Sequence, residues 1–493
     1  MPSALTYPGV YIEEVSSGVR TITGVATSIA LFVGWAGRGP TERAVRISSF
    51  GDYQRAFGPL DKRSLLGYGV RHFFDNGGAD AYILRLAGAG ALASKAVIGQ
   101  LTVEASSPGL WGDGYALRIT LRPAPDNARF KLEVLDKNNN NAVVESFENL
   151  SMNSTDARFA QSVINERSAF IKVTVAANTP PPAGTSDLAA GAEGTVLVPG
   201  TAGFQTALLA QFGIGTVTDR IDIFNLLCVP GETDPATLGT LQGHCKRRRA
   251  FLVADVSPTA TVTSLNAGLP SSLTGSDANH SAVFFPWVKA PDPLQDNALV
   301  AFPPSGFVAG VFARTDSSRG VWKAPAGSEA SLNGATGLAI TMSDAENGQL
   351  NPLGINCLRT LPVYGNVVWG SRTMHGQSDR GSEWKYVPVR RMALFLEESL
   401  YRGTQCVVFE PNDEPLWAQI RLNIGAFLQG LFRQGAFQGR SPREAYFVKC
   451  DRETTTQADI NLGIVNILVG FAPLKPAEFV ILKLQQIAGD IPT

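Results

Sequence analysis

The stretch Ile29-Ala30-Leu31-Phe32-Val33-Gly34-Trp35 carries no charge and reads as one fully buried strand. Downstream, Ser49-Phe50-Gly51-Asp52-Tyr53-Gln54-Arg55-Ala56-Phe57 predicts a short helix behind a serine cap, and residues 65–74 a second helix stopped by Asn76-Gly77-Gly78. Ala81-Tyr82-Ile83-Leu84-Arg85-Leu86 is the next buried strand. Strand, helix and strand at this spacing predict a parallel pair, hence an α/β core.

Moving outward, residues 87–97 are rich in Ala and Gly and mark a boundary. Beyond it, Leu101-Thr102-Val103-Glu104-Ala105, Tyr115-Ala116-Leu117-Arg118-Ile119-Thr120-Leu121, Phe130-Lys131-Leu132-Glu133-Val134-Leu135 and Ile171-Lys172-Val173-Thr174-Val175 alternate with period 2. They predict a small all-β insertion, with the Pro/Ala/Gly-rich residues 179–191 as its exit loop. Residues 205–370 return to α/β, with strands at 223–229, 250–256, 282–287 and 366–370. Residues 371–493 predict helices at 389–401 and 415–434, then strands at 445–449, 464–469 and 479–484. Trp417, Ile420, Ile424, Phe427 and Leu431 form one helical stripe. No repeat recurs at 20–50 residues.

The composition bounds the function. Among 493 residues, 42 Lys+Arg balance 43 Asp+Glu to a formal charge of −1, with 44% hydrophobic and only 17% charged residues. That supports a large core and excludes wholesale disorder, a broad basic nucleic-acid footprint and an acidic tail. It also removes the repulsion that keeps like molecules apart. Met1-Pro2-Ser3-Ala4-Leu5-Thr6 has neither cationic nor apolar leader character, and no run of 18 apolar residues predicts a membrane span. Cys228, Cys245, Cys357, Cys406 and Cys450 are far apart, odd in number and without a CxxC pair, as expected of free thiols in a chain made in the cytosol.

Catalytic patterns are sparse. GxxxxGK[ST] and GxSxG are absent, and Gly34-Trp35-Ala36-Gly37-Arg38-Gly39-Pro40 fails the dinucleotide spacing and reads as a tight turn. His72, His244, His280 and His375 show no metal-ligand spacing, so neither a metal nor a cofactor is expected. Gly184-Thr185-Ser186 resembles the nucleophile segment of subtilisin-like proteases, but such a serine heads a buried helix, and here it sits in the insertion's exit loop. Lys246-Arg247-Arg248-Arg249 reads as a helix end favoured by the dipole.

The two ends of the chain are unusual. Tyr7-Pro8-Gly9-Val10-Tyr11-Ile12-Glu13-Glu14-Val15 holds a strand too short to stand alone, which must pair with the body or with another chain. Together with Gly24-Val25-Ala26-Thr27-Ser28 it resembles the start of contractile phage tail sheath proteins. Gly320-Val321-Trp322-Lys323-Ala324-Pro325-Ala326, Val367-Val368-Trp369-Gly370-Ser371-Arg372-Thr373, Trp384-Lys385-Tyr386-Val387-Pro388-Val389-Arg390-Arg391, Phe409-Glu410-Pro411-Asn412 and Pro476-Ala477-Glu478-Phe479-Val480-Ile481-Leu482 continue the resemblance in order. It covers about 1–90 and 210–493, and is weaker in the insertion.

The resemblance implies a multidomain α/β (α+β) structural protein and no enzyme. The expected parts are an N-terminal arm at 1–20 and a sheath core at 21–97 and 205–370, with a subtilisin-like middle domain that is not a protease. A β-sandwich-like insertion at 98–204 lies on the outer surface, followed by an α+β lattice domain at 371–475 and a C-terminal arm at 476–493. Family members stack hexameric rings into a helical sleeve around an inner tube, and the sleeve contracts to drive the tube through an envelope. The implied partners are further copies of the chain, an inner tube protein, and baseplate and terminator or cap proteins. Nucleic acid and direct membrane insertion are not implied. The implied location is a phage tail or injection particle assembled after cytoplasmic synthesis, and extracellular once released.

Both arms supply strands to neighbouring copies in this reading: Val10, Tyr11, Ile12 and Val15 at the front, and Phe479, Val480, Ile481, Leu482 and Leu484 at the end. Gly9 and Gly18 act as hinges. Candidate tube contacts are Glu397, Glu398, Arg402, Arg421 and Arg433 on the C-terminal helices. The rival classes are a serine hydrolase using Ser186 and a non-contractile structural protein such as a surface-layer, capsid or tail-tube subunit.

Overall fold

The computed structural model describes residues 21–123 and 128–484. It divides into two compact units, one of Thr27–Arg390 and one of Met1–Ala26 with Arg391–Thr493.

The first unit is built on eight strands: β1 (Ala30–Trp35), β2 (Val45–Ile47), β3 (Ala81–Leu86), β4 (Leu226–Cys228), β5 (Phe251–Asp255), β6 (Ser281–Phe285), β7 (Ile355–Leu361) and β8 (Gly365–Val368). They form one sheet in the order β2-β3-β1-β4-β5-β6-β7-β8. The six inner strands are parallel, and β1 runs beside β3 in the register Ala30↔Ala81 to Trp35↔Leu86. Only β2 and β8, at the two edges, are antiparallel. All six residues of β1 are buried, as a central parallel strand covered on both faces requires.

Helices cover both faces. On one, α1 (Leu65–Asp75) and α3 (Ser305–Arg319) pack with Phe73 against Phe32 and with Phe312 against Phe251 and Phe284. On the other, α2 (Pro235–Arg248) adds Leu238, Leu241 and Cys245 to a core with Trp35, Leu252 and Phe285. Local chemistry sets the ends of these helices. Ser64 caps Leu66 N–H, Asp234 caps Thr237 N–H at 2.8 Å, and Lys246, Arg247 and Arg248 close the last turn of α2. The expected reading of the basic run as a helix end therefore matches.

The sequence signals did not announce α3. Residues 305–313 are all buried, so the helix has no polar stripe over its first two turns. Its close approach to α1 needs glycine: a Cβ on Gly306 would stand 2.4 Å from Gly69 O, and one on Gly310 2.5 Å from Phe73 O.

Between β3 and β4 the chain makes its excursion. Three strands in the order Ile171–Val175, Leu101–Ala105, Lys95–Ile98 share a core with four in the order Gly184–Asp187, Tyr115–Leu121, Arg129–Asp136, Ala142–Ser151. Beyond the four strands expected, Lys95–Ile98 and Ala142–Ser151 also pair, and two further findings differ from the expectation. A helix, Ala160–Arg167, seats Val163 and Ile164 in this core. The exit loop contains a strand, because Gly184–Asp187 takes the free edge of Tyr115–Leu121. The excursion closes where it opened: Lys95 and Ala189 exchange both main-chain bonds, at 2.8 and 3.1 Å, and Ala91–Leu92 pairs with Ala192–Glu193.

The second unit holds most of α4 (Val387–Gly403), which enters it at Arg391, and α5 (Glu414–Arg433). It also holds a two-stranded antiparallel sheet, Tyr446–Lys449 with Leu468–Phe471. Trp417, Ile420, Ile424, Leu428 and Leu431 of α5 are buried, so Leu428 takes the place expected of Phe427, which is half-buried. The strand expected at 464–469 starts at Leu468. Residues 479–484 form no strand, because no described residue pairs with them.

Candidate assembly surfaces

Residues 21–25 lie along α4, and Val25 N–H donates to Ser399 Oγ at 3.2 Å. The approach is close: a Cβ on Gly24 would sit 2.9 Å from the Phe395 ring, and one on Gly403 2.7 Å from Ile22. Between this segment and α5 runs a groove of about 510 Å³, lined by Ile22, Phe395, Asn423, Ala426, Phe427 and Leu431 among others. The rings of Phe395 and Phe427 stand 6.1 Å apart on its wall.

Near the end of the α4–α5 connection, Asn412 ties two segments. Its Oδ1 accepts from Trp417 Nε1 at 2.9 Å, and its Nδ2 donates to Ile464 O at 3.0 Å. The two-stranded sheet is held to α5 by Tyr446, whose hydroxyl donates to Gln429 Oε1 at 2.7 Å. Arg421 of α5 also donates to Cys450 O, just beyond the first strand. A sheet of two strands is marginal alone. This one leaves Phe447 and Leu468 exposed.

The C-terminal segment is the most apolar exposed stretch described. Phe479, Val480, Ile481, Leu482 and Leu484 are 72–96% exposed. Five large apolar side chains in water over six residues are a liability unless a partner covers them. The front arm residues Val10, Tyr11, Ile12 and Val15, with hinges Gly9 and Gly18, lie outside the described residues.

The candidate tube contacts divide into two groups. Glu398 is 8% exposed and pairs with Arg402 Nε at 2.7 Å one helical turn away. Arg421 pairs with Glu414 at 2.7 Å in addition to its carbonyl contact. These three are engaged within the subunit. Glu397, which also has a partner within the chain, and Arg433 are exposed.

The serine hydrolase reading finds no support in this geometry. Ser186 lies on the strand Gly184–Asp187 beside Leu117 and not at the head of a helix. A serine that heads a buried helix next to a carboxylate is Ser305, at the start of α3, which the sequence reading missed for want of a motif. Ser305 is 0% exposed, and its hydroxyl donates directly to Asp255 Oδ2 at 2.8 Å, with no imidazole between them. Burial pushes the Asp255 carboxyl up to about 6, against the bonds it accepts from Gly231 N–H, Ser305 Oγ–H and Ser305 N–H. The cluster ties β5 to the start of α3 and offers no access to a substrate.

With this geometry in view, comparison with known proteins is specific. Residues 221–374 match the family described as the phage tail sheath protein central domain, and residues 379–487 match the phage tail sheath C-terminal domain. The tail sheath protein of Vibrio phage KVP40 is 25% identical over 189 residues, 38% of this chain and 27% of that one, so this chain spans about a quarter of that relative's length. A putative prophage major tail sheath protein of Pseudomonas aeruginosa is 25% identical over 276 residues, 54% of this chain and 67% of that one. The solved helical sheath of the anti-feeding prophage, in its contracted state, is 26% identical with a TM-score of 0.60, covering 98% of this chain and 100% of that one. These relatives are structural proteins, and none is an enzyme. Two sheath domains in order across more than half the sequence, and a sheath fold along nearly all of it, place the chain in the contractile tail sheath family.

Proposed function

We propose that this chain polymerises as stacked hexameric rings around an inner tube and that the polymer shortens from a metastable extended state, driving the tube through a target envelope. The observation that carries the proposal is the exposed apolar segment 479–484 in a unit that also presents a two-stranded sheet. A strand with unpaired main chain and a sheet with room at its edge are complementary halves of a β-addition contact. Because the donor and acceptor surfaces differ, the contact is head-to-tail and propagates. Residues 1–18 supply the second donor strand, and Gly9 and Gly18 let the bodies rotate while the strands stay paired. Shortening needs no bound fuel: it releases free energy as subunits form new contacts.

In this reading Glu397 and Arg433 are the first candidates to touch the tube, and baseplate and cap proteins bound the polymer. The insertion at 98–204 faces outward, away from the lattice. The chain is made in a bacterial cytoplasm, in keeping with five free cysteines, and works in a tail or injection particle. No helix described is long and apolar enough to cross a membrane. Deleting residues 1–18 tests the proposal. The expected product is a folded subunit that builds no long sleeve under negative-stain electron microscopy, and normal sleeves would refute the arm assignment.

A further inference from the structure

The connection between α4 and α5 places a phenylalanine where the backbone favours glycine. Residues 407–410 form a turn closed by Glu410 N–H donating to Val407 O at 3.1 Å. Val408 lies at φ −65°, ψ 130° and Phe409 at φ +70°, the type II pattern. Positive φ at that corner crowds a Cβ, so glycine or asparagine is the usual occupant. The Phe409 ring is also fully exposed, at 102%, with Val408 beside it at 62%. Backbone strain and an apolar ring in water both cost the isolated subunit. Such a side chain is held out for something to receive it.

The same unit carries a receptor that Phe409 does not fill in its own copy. The groove lined by Ile22, Phe395, Ala426, Phe427 and Leu431, with Thr21, Thr23 and Gln434 at its polar part, is mostly apolar and wide enough for a phenyl ring. Asn423 Oδ1 is buried there, and no described residue donates to it. The Phe409 N–H likewise donates to no described residue. An apolar knob beside a free donor thus answers an apolar slot beside a free acceptor.

We propose that the turn at 407–410 of one copy docks in this groove of a neighbouring copy. The Phe409 ring enters between Phe395 and Phe427, and a main-chain N–H of the turn reaches Asn423 Oδ1. The occupant is a second copy because knob and slot lie on one unit, differ in shape and leave each other empty. Such a contact is heterologous and propagates from copy to copy. The inference rests on the self-assembling reading above, and adds a side-chain lock to the main-chain pairing of the arms.

The test uses the full chain. A photoreactive benzophenone amino acid at position 409 is crosslinked in sleeves assembled from mixed isotope-labelled and unlabelled chains. Mass spectrometry is expected to find adducts on residues 21–25, 395 or 423–434 of a different copy. Adducts within the same copy, on residues 1–20, or on an inner tube protein would overturn the proposal. In parallel, Phe409→Gly relieves the strained turn and removes the ring. Its subunit is expected to melt at the same temperature or a few degrees higher, while the fraction of chains in sleeves falls at least about tenfold. Phe409→Trp keeps the sleeves. Normal sleeves from Phe409→Gly overturn this inference alone, whereas a wild-type chain that never polymerises overturns the assembly reading beneath it.

Discussion

Asp255 faces three donors and no acceptor at the start of α3: two main-chain N–H groups and one hydroxyl. That arrangement suits the ionised carboxylate, yet complete burial disfavours its charge, and burial prevails. Its pKa is raised in the folded chain, so the group favours folding fully below about pH 4 and loses that contribution as pH rises through about 6. The loss amounts to at most ~3 kcal/mol. Calorimetry from pH 5 to 8 should show a falling midpoint in the wild type and a flatter one in Asp255→Asn. Parallel slopes would mean the carboxyl does not titrate there. Arg85 makes the same point about legibility. It stands in a strand read correctly as buried, and the sequence gives no reason for a buried guanidinium. The structure supplies one: it donates to Ala36 O and Gly39 O at 2.6 Å and to Pro108 O at 2.9 Å, stitching a loop to the inserted module. Such roles depend on which carbonyls converge in space, which no local pattern encodes.

At the scale of elements, periodicity carried information where an element's environment was simple. The buried β1 and β3, the four alternating insertion strands expected, α4, and α5 with its one-sided stripe were legible within a few residues. Elements with unusual surroundings were not. The helix α3 is buried all round over its first nine residues, so that part has no stripe to read. Gly184–Asp187 has turn-like composition and is a strand only because an edge was vacant. Residues 479–484 have the alternation of a strand and pair with no described residue, so their pattern takes its meaning from the proposed contact with another copy. Replacing Val480 and Leu482 together by Asp should therefore leave the subunit's circular dichroism and melting temperature within about 1 °C of wild type, since exposed positions contribute little to stability. Sleeve formation should be abolished. Loss of folding instead would show that the segment packs on its own body.

For the molecule as a whole, the fold class followed from the order of elements and the family from ordered motifs. The groove beside α5 and the turn at Phe409 emerged only in three dimensions, since both depend on backbone angles and on segments far apart in sequence. The excursion between β3 and β4 is a detachable module by its geometry. Lys95 and Ala189 form a bonded pair that a two-residue Asn-Gly turn can join. Replacing residues 96–188 by that turn removes Pro108 from Arg85 and Ser107 from Gly39 N–H, so the melting temperature should fall by several degrees. Sleeves should still form, as electron microscopy would show. Their absence would place the module inside the lattice.

The two edges of the eight-stranded sheet have one further consequence. β2 offers three residues, with Arg46 paired to Asp80 beside it, and β8 is covered along its outer side by residues 327–332. Both edges are shut to a passing strand. The two-stranded sheet of the second unit has no such covering among the described residues. In the proposed assembly of identical chains, this difference acts as an address: one door is locked and another left ajar. The balance of 42 against 43 charges adds no repulsion between copies, and in the proposed assembly the choice of open edge decides where they join.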